Sequence, residues 1–109
     1  MHLLDTQALG FISMYFVRSA DELLMVHRQL KAYATDHGLH LTEVYVEEPG
    51  RPSASFDLLE SLLQSDGLPL VVPTLHHLAV LGHPIRIRDH LRHTNHEVFV
   101  ATKPAERTC

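Results

Sequence analysis

Residues 10–17 read GFISMYFV, and residues 19–22, just downstream, read SADE. The first stretch is almost wholly apolar, aromatic and β-branched, and it is short for a helix. It reads as a buried strand. In the second, Ser19 precedes Glu22 by three residues. That spacing is a capping box, which satisfies free N–H groups at a helix start. Leu23, Val26, Leu30, Tyr33 and Ala34 then recur at helical spacing, and Gly38 is suited to the position after the last turn. The expectation is a strand over 10–17 and a helix over 20–37.

The same alternation continues outward. Residues 39–47, LHLTEVYVE, place Leu39 and Leu41, then Val44 and Val46, as a second strand. Residues 48–53 hold two prolines and a glycine and read as a loop. Ser55 is positioned to cap a second helix, in which Phe56, Leu59 and Leu63 share a face with Leu62 beside them; Asp66-Gly67 closes it. Residues 68–72, LPLVV, form a third strand of the fully apolar kind buried in parallel sheets. Thr74 can cap a short helix over 75–81, a further helix spans 85–94, and 97–101 form a fourth strand before a polar tail. Strands alternating with helices through short connections imply right-handed crossovers. The predicted fold is α/β, three-layered, with a mostly parallel sheet of four or five strands and helices on both faces. One domain covers 1–109, with its core at about 10–101.

Composition narrows the partners. The chain has 109 residues, 45% hydrophobic, with a net charge of −4. This is enough for one packed core, and the apolar fraction argues against disorder. No apolar run approaches the roughly 18 residues of a spanning helix, so no membrane is expected. The acidic balance and the few arginines, scattered along the chain, do not favour DNA, whose phosphates are met by Lys and Arg. The single cysteine, Cys109, permits no internal disulfide and fits a reducing cytoplasm. Met1 to Gly10 has no basic and long apolar stretch of a secretory signal. Histidine is abundant, 10 residues against 9 Lys plus Arg.

Three stretches together resemble the N-terminal catalytic domain of the serine recombinases, the resolvase/invertase family. They are Gly10-Phe11 followed by Leu30-Lys31-Ala32-Tyr33-Ala34 and Gly38; Val46-Glu47-Glu48 with Gly50-Arg51-Pro52; and Val71 to Ala79. Each alone is weak; their order and spacing over 10–101 carry the resemblance. It implies a resolvase-like sheet. In that family a serine after the first strand attacks the DNA phosphodiester, and arginines stabilise the developing charge.

The departures fall on that chemistry. Counting forward from Gly10, the nucleophile position is Tyr15; counting back from Leu30, it is Val17. Neither is serine. The family's strand arginine falls on Ser13, and its third-block acid and arginines fall on His76, His77 and Val80. Arg51 is the one matching cation. Histidine lacks the fixed charge and bidentate fork of arginine. The family also carries a dimerisation helix and a helix-turn-helix DNA reader beyond this domain, for which the residues after Ala101 leave no room.

Other candidates have two readings. Ser19 is a helix cap or a displaced nucleophile. Tyr15 is an aromatic near the sheet edge, or a phenolic nucleophile or phosphate ligand. Arg51 is a solvated loop cation or an anion ligand. His90 and His93, one helical turn apart, can share a metal with His96 or Asp89; zinc would suit such a set, and no other cofactor is implied. The preferred function is a catalytically inactive module that regulates or binds another protein, or itself. The alternatives are a DNA-binding accessory of recombination, which a basic stripe would support, and a small-ligand or metal binder using the former active-site mouth.

Overall fold

The computed structural model describes residues 6–50, 53–64 and 67–101. Its four strands are β1 (Thr6–Ser13), β2 (Leu39–Glu47), β3 (Leu70–Val72) and β4 (Val98–Val100). They form one parallel sheet in the order β2-β1-β3-β4. The helices are α1 (Ala20–Asp36), α2 (Ser53–Gln64) and α3 (Pro84–His93), with 3₁₀ segments at Met14–Phe16 and Leu75–Val80.

This order explains the layers. The chain moves from β1 to β2 in one direction, then crosses back over to β3 and on to β4. With right-handed crossovers, that reversal puts α1 on one face of the sheet and α2 and α3 on the other. Two cores follow. Leu30 and Ala34 of α1 pack with Ala8, Ile12, Leu39 and Val71. Leu58 and Leu62 of α2 and Leu91 of α3 pack with Leu9, Phe11 and Leu70 on the opposite face. Gly10 permits the close approach of α1: a Cβ there would lie 3.1 Å from a Val44 methyl and 3.4 Å from Leu30 Cδ1.

The expected α/β architecture is present, with informative shifts. The apolar run 10–17 is divided: β1 ends at Ser13, whose Oγ accepts the Tyr15 N–H at 3.4 Å and curls the chain into a 3₁₀ turn. Tyr15 and Phe16 therefore project outward, while Val17 returns to the core. In β2 the apolar positions change parity between Leu41 and Val44, yet all four side chains reach the α1 face. A register shift opposite Ala8/Leu9 supplies the extra residue, and Thr42 Oγ1 donates to the Ala8 carbonyl there.

Ser19 caps α1, accepting the Glu22 N–H at 3.1 Å; Glu22 reaches back to the N–H of Arg18 rather than to the cap residue itself. Gly38 takes φ +70° just past the helix, as a left-handed stop requires. The reading of α2 is corrected. Ser55 is the third helical residue, not the cap. Its N–H and hydroxyl both donate to Glu47 Oε1, and both residues are buried. That attachment sets the rotation of α2, turning Ser55, Leu58 and Leu62 inward. Phe56, Leu59 and Leu63, read as one face with Leu62 beside them, face outward, whereas Leu62 is buried; Leu63 is 86% exposed. Thr74 makes no side-chain capping bond. β3 is shorter than expected, with Leu68 and Pro69 outside it, and α3 begins at Pro84, where a missing N–H costs nothing.

Candidate functional site

In a sheet of this order, ligands collect beyond the carboxyl ends of the strands where the direction of winding reverses, here between β1 and β3. Ser13 ends β1 there, and the 3₁₀ segment after β3 brings His77 beside it. The backbone N–H of Ser13 donates to His77 Nδ1 at 2.8 Å, in a buried bond between residues 64 positions apart. An N–H can only donate, so Nδ1 is the acceptor and the neutral ring carries its proton on Nε2.

His77 is 4% exposed. Burial, reinforced by the neighbouring His76, lowers its pKa from 6.5 to about 4, so it is uncharged near neutral pH. The Phe16 ring packs on it, with centroids 5.2 Å apart, and also approaches His76 at 6.1 Å. Serine next to histidine resembles a nucleophile–base pair, but the geometry is different in kind. The bond runs through the Ser13 backbone, Ser13 is fully buried, and its Oγ already accepts from Tyr15.

The mouth around this junction is apolar. One groove of about 380 Å³ is lined by Tyr15, Phe16, Ala79 and Val80. A second, about 370 Å³, is lined by Leu75, His76, His83, Pro84 and Ile85. Neither contains a lysine or arginine among its described residues. His76 and His77 separate because successive residues of a 3₁₀ segment point about 120° apart, one outward and one into the core. Tyr15 is 64% exposed, and its hydroxyl makes no hydrogen bond among the described residues. Arg51, the expected loop cation, lies outside the described residues.

The histidine set for a metal is divided. His90 and His93 are exposed on α3, whereas His96 is buried, with Nδ1 2.9 Å from the Leu68 carbonyl. Asp89 is paired with Arg88 at 3.1 Å, and Arg92 shares a shallow groove of about 330 Å³ with Asp89 and His93. A guanidinium in that lining opposes a cation. No group of three His, Cys, Asp or Glu in ligating arrangement occurs among the described residues.

Two features escaped the sequence reading. Phe16 closes the strand-end junction, although it reads as one more apolar residue of its run. The arginines are less scattered than they read: Arg86, Arg88 and Arg92 all lie on α3, beside His90 and His93. The string IRIRDHLRH at 85–93 carries that signal. No helix among the described residues is long and apolar enough to cross a membrane.

Comparison with known proteins supports the fold. No protein-family model matches the chain, and no curated protein sequence does. A solved structure does: the C-terminal catalytic domain of ISC1926 TnpA, an IS607-like serine recombinase. The two share 20% identity with a TM-score of 0.60, over 94% of this chain and 71% of that one. The likeness lies in the fold, and the residues that carry the family's chemistry must be judged from this chain itself. The chain has the four-stranded parallel α/β architecture of a serine-recombinase catalytic domain.

Proposed function

We propose that this is a recombinase-like domain without strand-transfer chemistry, acting as a protein-interaction or regulatory module. The observation that carries the reading is the junction of Ser13, His77 and Phe16. Phosphoryl transfer needs an accessible nucleophile and fixed positive charge around the transferred group. At the end of β1 the serine is buried, its N–H is held by a neutral imidazole, and an aromatic ring packs on that imidazole. Among the described residues, one adjoining groove is lined by Tyr15, Phe16, Ala79 and Val80 and the other by Leu75, His76, His83, Pro84 and Ile85, with no guanidinium group in either. Such a mouth suits an apolar side chain better than a phosphodiester.

The test is a strand-cleavage assay on a supercoiled plasmid pool carrying random inserts. No relaxed or recombined product is expected. Product that disappears in Ser13→Ala or Ser19→Ala would overturn the reading.

One observation favours a second reading, a DNA-binding accessory of recombination. The cationic side chains of α3 form a local basic surface despite the net charge of −4. DNA retention that falls steeply with salt and is lost in Arg86→Glu with Arg92→Glu would support it.

A further inference from the structure

The sheet face opposite α1 presents two helix surfaces of opposite character. On α2, Phe56, Leu59 and Leu63 recur at i, i+3 and i+7 and are exposed, Phe56 to 64% and Leu63 to 86%. Single exposed apolar residues are ordinary, but a contiguous stripe marks a contact surface. Asp57 and Glu60 are exposed alongside it, and Ser53–Gln64 contains no lysine or arginine. On α3 the exposed side chains are Ile85, Arg86, Asp89, His90, Arg92 and His93; Asp89, the one acid, is paired with Arg88, so the surface keeps a net positive charge.

We infer that these two surfaces pair between copies of this chain, α2 of one copy on α3 of its partner. The charge pattern selects the occupant and the arrangement. Both helices return from the carboxyl ends of the strands to their amino ends, so they run in the same direction. A twofold axis lying between them and parallel to them brings α2 onto the partner's α3 twice, as a closed symmetric dimer requires. A twofold axis in the perpendicular direction would set α2 on α2, facing Asp57 and Glu60 with their own copies, and α3 on α3, facing Arg86 and Arg92 likewise. Like charges so placed repel, which disfavours that alternative.

In the selected arrangement the Phe56–Leu63 stripe meets Ile85 and the aliphatic stems of Arg86 and Arg92. Asp57 and Glu60 meet the guanidinium heads at the rim. Stable interfaces bury about 800 Å² per partner. The twofold uses both helix faces of each copy, so each patch is buried twice in the dimer. The dimer is a weak one, with Kd on the order of micromolar. The inference names the surface for the interaction reading above; its geometry does not depend on the loss of strand-transfer chemistry.

The test is sedimentation velocity of the full chain across concentration, at roughly 50 mM and 500 mM salt. A concentration-dependent dimer that weakens with salt is expected. Leu63→Glu and Arg92→Glu should each weaken it about tenfold or more, with helical content unchanged by circular dichroism. The decisive arm mixes two chains, one carrying Asp57→Lys with Glu60→Lys, the other Arg86→Glu with Arg92→Glu. Each alone should be monomeric, and a 1:1 mixture should dimerise.

A monomer at every concentration overturns the inference, as does a dimer indifferent to Leu63→Glu. A monomer that binds a short DNA duplex through Arg86 and Arg92 also overturns it and assigns the surface to nucleic acid. None of these outcomes alters the cleavage assay, so the two proposals fail separately.

Discussion

Replacing His77 with asparagine separates its hydrogen bond from its titration. The asparagine carbonyl oxygen can take the Ser13 N–H that Nδ1 accepts, but it does not ionise. In the folded chain the His77 pKa is about 4, held down first by burial and then by His76; the unfolded value is 6.5. Between those values the unfolded chain binds a proton at this position and the folded chain does not. Acidification therefore favours unfolding. The contribution is complete above about pH 6.5 and is lost as pH falls towards 4. The interval from 6.5 to about 4, at 1.36 kcal/mol per pH unit, corresponds to about 3 kcal/mol. Urea unfolding of both proteins from about pH 7 to pH 4 measures it, and the other titrating groups, common to both, cancel in the difference. His77→Asn should be the less stable protein at pH 7, and its disadvantage should shrink by about 3 kcal/mol at pH 4. A stability difference that does not change with pH refutes the reasoning. So does a wild-type advantage that grows on acidification, because His77 would then be charged in the folded chain.

Other expectations follow from the packing. Leu62→Ala should cost about 2–5 kcal/mol and Leu63→Ala less than about 0.5 kcal/mol by urea unfolding, because α2 turns the first inward and leaves the second exposed. Glu47→Ala should cost about 1–3 kcal/mol by leaving the buried Ser55 N–H and hydroxyl without their acceptor, and Glu47→Gln, whose amide oxygen still accepts, should cost less. Gly10→Ala should lower the melting temperature through about 1–3 kcal/mol of overpacking against Val44 and Leu30.

Much of this fold was legible because its signals are local. The capping box at Ser19, the helical spacing from Leu23 to Ala34 and the stop at Gly38 each act within one or two turns. The apolar runs at β2 and β3 likewise reported burial on a sheet. What escaped depends on partners distant in sequence. The rotation of α2 is set by Glu47, and without that attachment the 56/59/63 stripe is the more apolar face and the natural choice for the core. The Ser13–His77 bond joins residues 64 apart, so neither the closure of the strand-end junction nor the part of Phe16 in it can be read from any window. The departures from the family pattern at Ser13, His76, His77 and Val80 were visible as substitutions. Their consequence depends on the fold, which bonds two of them, Ser13 and His77, to each other.

The central proposal is that this domain carries out no strand transfer, and the covalent intermediate tests that most directly. The full chain is incubated with an end-labelled library of random duplex DNA, then denatured and resolved on a gel that retains label only on protein joined to DNA. The account predicts no labelled protein band, because the Ser13 hydroxyl is buried and the Ser19 hydroxyl caps α1. A labelled band that vanishes in Ser13→Ala, Ser19→Ala or Tyr15→Phe would contradict it.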